Sequence, residues 1–269
     1  MTIIDSFTRL LQELRDSFDS GVYHASKSKT VCGHKELVTE ADLYSQSVLI
    51  EIAEKYHPDC KIISEELDNY KSIDNTFSII MDPLDGTHNY YFGLPMWGVS
   101  YSVISNDEVI ESYIGLPMLD CLLVYKNCEI KKYSILGNNK CIEVQPAQTS
   151  DNISAQMIAY DNQFYKDPAN TLPHYQLLID YVFTTRISGS SVFDIAMIVL
   201  GKLNARIWHD VEIYDVIPAF GFLKNSGFVL NLYSGKNAKI RDRAVVATTD
   251  KNLYKQLDKL GITQDLRLT

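Results

Sequence analysis

Met81-Asp82-Pro83-Leu84-Asp85-Gly86-Thr87-His88-Asn89 is the stretch on which the reading of this chain turns. The run before it, Thr76-Phe77-Ser78-Ile79-Ile80-Met81, has the continuous apolar character of a buried strand. That strand delivers two carboxylates three residues apart, with proline between them. Pro83 fixes its own φ and has no amide to donate, so Asp82 and Asp85 can turn toward one point beyond the strand end. Gly86-Thr87 follows as a turn that starts a helix and aims backbone N–H groups at an anion. Hard oxygen ligands beside an anion cradle are what Mg²⁺ and phosphate together require. Taken alone, the stretch reads equally as a polar turn in which the two aspartates cap a helix.

Upstream, the apolar segment Lys61-Ile62-Ile63 ends at Ser64-Glu65-Glu66. Before it, Thr39-Glu40-Ala41-Asp42 has capping-box form and opens a helix through Leu49, Ile52, Ala53 and Tyr56, which His57-Pro58 closes. Ile3, Ile4, Phe7, Leu10, Leu11, Leu14, Phe18 and Val22 recur at helical steps and predict an amphipathic helix, broken at Gly33 to Lys35. Downstream, three or four strand-like runs between Met96 and Tyr133 predict an antiparallel meander.

The second half alternates strands and helices: helices near 169–181, 190–200 and 215–224, strands near Phe183 and 204–209, then strands and a terminal helix near 250–260. The expectation is one domain, 1–269, of two packed α+β halves, about 1–140 and 141–269. Asp215 opens the helix after Ile213-Tyr214. Carboxylates gathered at strand ends and helix starts suit an ion cluster better than a core.

The net charge of −9 argues against nucleic-acid backbone binding as the main activity. An acidic chain that handles phosphate needs local positive charge from a helix N-terminus, basic side chains or metal ions. The five cysteines form no C-x-x-C pair and are odd in number, which fits a reducing cytoplasm rather than a disulfide framework or zinc knuckle. Asp5, Arg9, Glu13, Arg15 and Asp16 stand where a signal peptide needs an apolar run. No stretch approaches the ~18 apolar residues of a membrane span. A soluble cytoplasmic protein with neither membrane nor nucleic acid as partner is expected.

Four motifs, in order, resemble the inositol monophosphatase family of metal-dependent phosphatases over nearly the whole chain. They are Leu37-Val38-Thr39-Glu40-Ala41-Asp42, Ser64-Glu65-Glu66, Asp82-Pro83-Leu84-Asp85-Gly86-Thr87 and Tyr214-Asp215-Val216. The resemblance implies an α+β fold, a layered α-β-α-β-α sandwich, with two or three Mg²⁺ ions, a small phosphorylated metabolite as substrate, and a homodimer. It implies that Glu65, Asp82 and the Leu84 carbonyl hold a first metal, and that Asp82 bridges to a second completed by Asp85 and Asp215. Gly86 and Thr87 would offer backbone amides to the phosphate, and Asp42 would bond the Thr87 hydroxyl so that the pair polarises the attacking water. Asp42, Glu65 and Thr87 are thus the expected catalytic residues.

Three departures stand out. His88 replaces a usual threonine, Tyr214 a usual tryptophan, and Val216-Ile217-Pro218 follows Asp215 where small residues are usual. Pro218 is expected in a first helical turn, where amides lack intrahelical partners anyway. On the substrate side, Ser188-Gly189-Ser190-Ser191 opens a helix, so Gly189, Ser190 and Ser191 are expected to contact substrate hydroxyls; a plain serine N-cap is the alternative. His209 is assigned the place where inositol-cleaving relatives usually carry glutamate, with Asp210 and Glu212 nearby as substitutes. Tyr90 and Tyr91 are candidates to stack on a ring, or simply to pack.

The substrate expected first is inositol monophosphate. Fructose-1,6-bisphosphate, 3′-phosphoadenosine nucleotides and histidinol phosphate are alternatives within the same chemistry. A non-catalytic metal- or phosphate-binding regulator is the alternative of another class.

Overall fold

Thr2 caps the first helix, α1 (Ile3–Asp19), through a reciprocal pair: its hydroxyl accepts from the Asp5 amide at 3.2 Å, and the Asp5 carboxylate accepts from its amide at 2.7 Å. The computed structural model describes all residues except 22–24, 32–33, 68–76, 138–140, 145–151, 251 and 269; for 25–31, 34–36, 143 and 268 only the backbone is described. The helix ends at Asp19, and Val22 lies outside the described residues. The chain divides into two compact units, Met1–Val144 with Gly189–Phe193, and Gln145–Ser188 with Asp194–Thr269.

In the first unit, β1 (Ala25–Val31) and β2 (His34–Thr39) pair as an antiparallel hairpin with no counterpart among the expected elements. Then come α2 (Glu40–Tyr56), β3 (Lys61–Ser64), β4 (Ser78–Asp85), the short α3 (Thr87–Tyr91), β5 (Gly98–Ser105), β6 (Glu108–Leu116), β7 (Cys121–Lys126), β8 (Glu129–Tyr133) and β9 (Cys141–Glu143). Strands β3 to β9 form one sheet in sequence order. The β3–β4 pair is parallel and every later pair antiparallel, so the expected meander is present and extended at both ends.

Helix α1 turns Phe7, Leu10, Leu11, Leu14 and Phe18 into the core, each such burial stabilising by about 1.5–3 kcal/mol. Phe7 stacks on Tyr113 at 4.8 Å and meets Tyr101 edge-on at 5.4 Å. Leu11 lies so close to β6 that a Cβ on Gly115 would fall 2.3 Å from its Cδ2, so a side chain there would have to push the buried Leu11 aside.

The second unit contributes β10 (Met157–Ala159), α4 (Pro168–Tyr181), β11 (Thr184–Arg186), α5 (Ser191–Val199, whose first residues group with the first unit), β12 (Ala205–Trp208), α6 (Ile213–Phe222), β13 (Phe228–Asn231), β14 (Val245–Thr248) and α7 (Leu253–Lys259). Its sheet has the order β11-β10-β12-β14-β13, parallel around β10 and antiparallel around β14. Ile158, Leu178, Ile207, Val246, Leu253 and Leu257 fill its core.

Fully buried Asn170 ties the C-terminal segment down: its side chain donates to Asp167 and Asp265 at 2.9 and 3.0 Å and accepts from the Leu266 amide at 2.7 Å. Helix α6 begins before Asp215, so Pro218 sits inside it rather than in its first turn, which corrects the expectation. There it removes the amide that would donate to the Tyr214 carbonyl four residues back. Among the described residues no helix is long and apolar enough to cross a membrane.

Candidate metal and phosphate site

The geometry begins with two neighbouring strands. Parallel pairing puts Ser64 of β3 opposite Met81 of β4, so the next residues are Glu65, in the turn just past β3, and Asp82, still within β4. Strand β4 does not stop at Asp82 but continues through Asp85. Against β5, Asp82 pairs with Ser100 and Asp85 with Gly98, so three steps on one strand oppose two on the other.

That irregularity decides the chemistry. In a regular strand residues three apart face opposite sides of the sheet. One extra residue restores the same side for both aspartates. Pro83 occupies the bulge, where a missing ladder amide costs least, and its carbonyl accepts from the Ser45 hydroxyl at 2.6 Å. Asp82 and Asp85 are 1% and 8% exposed, and each offers a carboxylate oxygen within 4.8 Å of the other's.

Both carboxylates are oriented by neutral donors. The Leu84 amide donates to Asp82 Oδ1 at 3.0 Å, and the Ser190 hydroxyl and Val192 amide donate to Asp85 Oδ2 at 2.5 and 2.6 Å. Gly86 then turns the chain with φ +89°. A Cβ there would lie 3.0 Å from the Met96 carbonyl and 3.2 Å from Ser190 Cβ, so both conformation and space demand glycine.

Thr87 heads α3 and donates from Oγ1 to Asp42 Oδ1 at 2.9 Å or to the Leu84 carbonyl at 3.0 Å. One hydroxyl proton serves two acceptors. Asp42 sits in the capping box of α2: its Oδ2 accepts from the Thr39 amide at 2.7 Å and from the Thr39 hydroxyl, while the Asp42 amide donates back to Thr39 Oγ1. Burial pushes the Asp42 carboxyl above its ordinary value, against the Thr39 and Thr87 hydrogen bonds that pull it down. Sequence reasoning found Thr39 as a cap but not as the residue that fixes Asp42; the T-x-x-D spacing carried that signal.

Glu65 is half-buried in the turn after β3, which Gln46 braces by accepting from the Ser64 hydroxyl at 2.7 Å. In the second unit Asp215 lies in the first turn of α6, half-buried. Gly189 and Ser191 stand at the start of α5, and Ser190 Oγ accepts from the Phe193 amide at 3.1 Å as an N-cap does. His88 is exposed. Tyr90 is a core residue, packed edge-on against Trp97 at 5.0 Å with its hydroxyl 3.0 Å from Ser17 Oγ.

His209 does not fit its assignment. It is 3% exposed in the second unit's core, with Nε2 2.6 Å from the Tyr160 hydroxyl and Nδ1 3.2 Å from the Tyr233 hydroxyl. Burial first, then the neighbouring His174 and Arg267, push it down to about 3, so it is a neutral packed ring and not a cation for a second phosphate. The assignment also needs a residue seven ahead of Asp215; His209 is six ahead, and the seventh position back is the buried Trp208. Asp210 and Glu212, its proposed substitutes, are both held by the Arg243 guanidinium.

The donor set fits a hard divalent cation: closely spaced, buried carboxylate oxygens next to a helix start. The sequence profile described as "Inositol monophosphatase family" matches residues 3–263. The chain is 25% identical over 220 residues to an inositol-1-monophosphatase of Synechocystis, covering 80% of this chain and 74% of the relative. It is 25% identical over 206 residues to a fructose-1,6-bisphosphatase/inositol-1-monophosphatase of Thermotoga maritima, covering 77% and 75%. The solved structure of an IMPase/NADP phosphatase complexed with Mg²⁺ and phosphate superimposes with TM-score 0.75 at 18% identity, covering 93% and 91%, which shows a shared fold. With the profile spanning almost the full length, this chain belongs to the inositol monophosphatase family and is a phosphoric monoester hydrolase.

Proposed function

We propose that the chain is a Mg²⁺-dependent phosphomonoesterase of a small phosphorylated metabolite, with inositol monophosphate as first substrate. The observation that carries this reading is the bulge that turns Asp82 and Asp85 to one side, with the Thr87–Asp42 bond beside it. Glu65, Asp82 and the Leu84 carbonyl are proposed to hold one ion, and Asp82, Asp85 and Asp215 a second. A third ion is compatible with the family resemblance. Bound there, Mg²⁺ would offset the charge that grows on the phosphoryl oxygens and make water nucleophilic near neutral pH.

The chain's own groups supply the rest. The Gly86 and Thr87 amides, at a helix start where amides lack intrahelical acceptors, would hold the phosphate. Thr87 has one proton; when the Leu84 carbonyl is engaged elsewhere, that proton belongs to Asp42, and a hydroxyl lone pair is left to accept from the attacking water. Thr39 keeps Asp42 from rotating away. Water attacks phosphorus, the ester P–O bond breaks, and the alcohol leaves with a proton.

The test is phosphate release in Mg²⁺ over inositol, sugar, nucleotide and histidinol phosphates. Inositol monophosphate should give the highest kcat/KM. A bisphosphatase is the second reading, favoured by the double name of the Thermotoga maritima relative; fructose-1,6-bisphosphate ranking first would select it. No turnover of any compound would refute catalysis and leave the non-catalytic regulator. The family resemblance also supports a homodimer, which light scattering would test.

A further inference from the structure

We infer that Ser190 is a positioning residue for Asp85, orienting that carboxylate for cation binding rather than contacting substrate. The inference rests on the proposed role of Asp85 as a metal ligand. Ser190 is 1% exposed, and its hydroxyl works in both directions: the oxygen accepts from the Phe193 amide at 3.1 Å, and the proton goes to Asp85 Oδ2 at 2.5 Å. The Val192 amide donates to the same oxygen at 2.6 Å. An aspartate's terminal torsion has only broad intrinsic wells, so nothing in the side chain itself selects a rotation. Two short donors on one oxygen select it. The carboxylate also meets the N-terminal turn of α5, whose amides and dipole favour a negative charge.

The backbone is arranged to bring these donors in. Gly189 adopts φ +77°, and a Cβ there would lie 3.3 Å from the side-chain amide of Asn89, which in turn donates to the Met96 carbonyl at 2.5 Å. Gly86 leaves room for Ser190 Cβ. Gly189–Phe193 accordingly groups with the first unit although the chain on both sides of it belongs to the second. A serine serving only as an N-cap needs its acceptor lone pair; here the proton is used as well, on a carboxylate 105 residues away.

The experiment separates capping from positioning. Ser190→Gly leaves a helix cap nearly as good but removes the donor to Asp85; Ser190→Ala removes the same donor without added backbone freedom; Ser190→Thr keeps both functions. Mg²⁺ affinity is measured by calorimetry on the unliganded full chain, with Tm read alongside, and Asp85→Asn serves as the reference. Ser190→Gly and Ser190→Ala are expected to weaken Mg²⁺ binding about 10–100-fold, as loss of a ligand-orienting partner does, with Tm little changed in the glycine variant and affinity kept in Ser190→Thr. Wild-type affinity in both donor-less variants, with Asp85→Asn impaired, would overturn the role of Ser190. A loss of affinity that only follows the loss of Tm, and that Ser190→Thr shares, would overturn it too. Wild-type Mg²⁺ affinity in Asp85→Asn would instead refute the metal reading beneath it.

Discussion

Two clusters of buried ionisable side chains, one in each unit, have opposite characters. In the first unit Asp82 and Asp85 bring like charges to within 4.8 Å of each other while hydroxyl and amide donors support their anionic forms. Such crowding is costly unless a cation or a proton compensates it. In the second unit His209 and His174 lie 5.1 Å apart between rings, and burial pushes both below their ordinary values, so the cluster is neutral. Tyr160 and Tyr233 occupy the ring nitrogens of His209. Burial is common to both. What separates a candidate reaction site from packing is whether the surroundings preserve charge and aim it at one point or remove it.

The largest effect that can break this contrast is expected from Asp82→Asn. It keeps the shape and removes one charge of the crowded pair, and should lower Mg²⁺-dependent kcat about 10³-fold, equivalent to several kcal/mol of charge stabilisation. Circular dichroism and Tm should stay near wild type. Turnover near normal at ordinary Mg²⁺ would show that the pair is structural.

Next comes His209→Glu. Had His209 faced substrate, this change would raise preference for inositol monophosphate. Its burial between two tyrosines predicts a stability loss of roughly 3 kcal/mol from desolvating a carboxylate in place of a neutral ring, read by denaturant titration. A stable variant with altered substrate ratios would restore the original assignment.

Thr87→Ala removes the hydroxyl that bonds Asp42 but not the backbone amides. It should lower kcat about 10–100-fold with KM nearly unchanged, measured by steady-state kinetics. A raised KM with unchanged kcat would make Thr87 a phosphate ligand only.

The smallest effect sharpens the histidine side. His209 has a folded value of about 3 against an ordinary 6.5, so below pH 6.5 the unfolded chain takes up a proton that the folded chain refuses. Stability contributed by this group is full above pH 6.5 and declines by up to ~1.4 kcal/mol per pH unit as pH falls toward 3. Glu111 acts lower: burial raises it, but hydrogen bonds from His57, Lys126 and Tyr113 outweigh that and hold it at about 2, so its contribution declines from about pH 4.5 downward. Melting curves at pH 7.5 and 5 should therefore differ, and His209→Gln should narrow the gap. An unchanged gap would place the acid sensitivity elsewhere.

Much of the first unit was legible locally. The Thr39–Asp42 capping box, the apolar run into Asp82 and the meander after Met96 each appear where their residue patterns place them. The second unit's expected helices and strands also fall near their places, although β10 had no counterpart among them and α6 starts early enough to leave Pro218 beyond its first turn. The β1–β2 hairpin was not legible, because Ala25–Val31 mixes lysine, serine and threonine without apolar alternation. His209 was misassigned because a residue's place along the chain says nothing about the rings that surround it.

The sequence by itself determined most of the elements and their punctuation, because capping, apolar periodicity and proline geometry act over three or four residues. It also determined which hard ligands exist, in motifs specific enough to point to one family. Tertiary structure decided how they face one another. The bulge that brings Asp82 and Asp85 to one side depends on pairing with β5, the Thr87–Asp42 bond joins residues 45 apart, and the Ser190–Asp85 bond joins residues 105 apart. Such contacts form only when distant segments pack, and no local pattern encodes the partner at the other end.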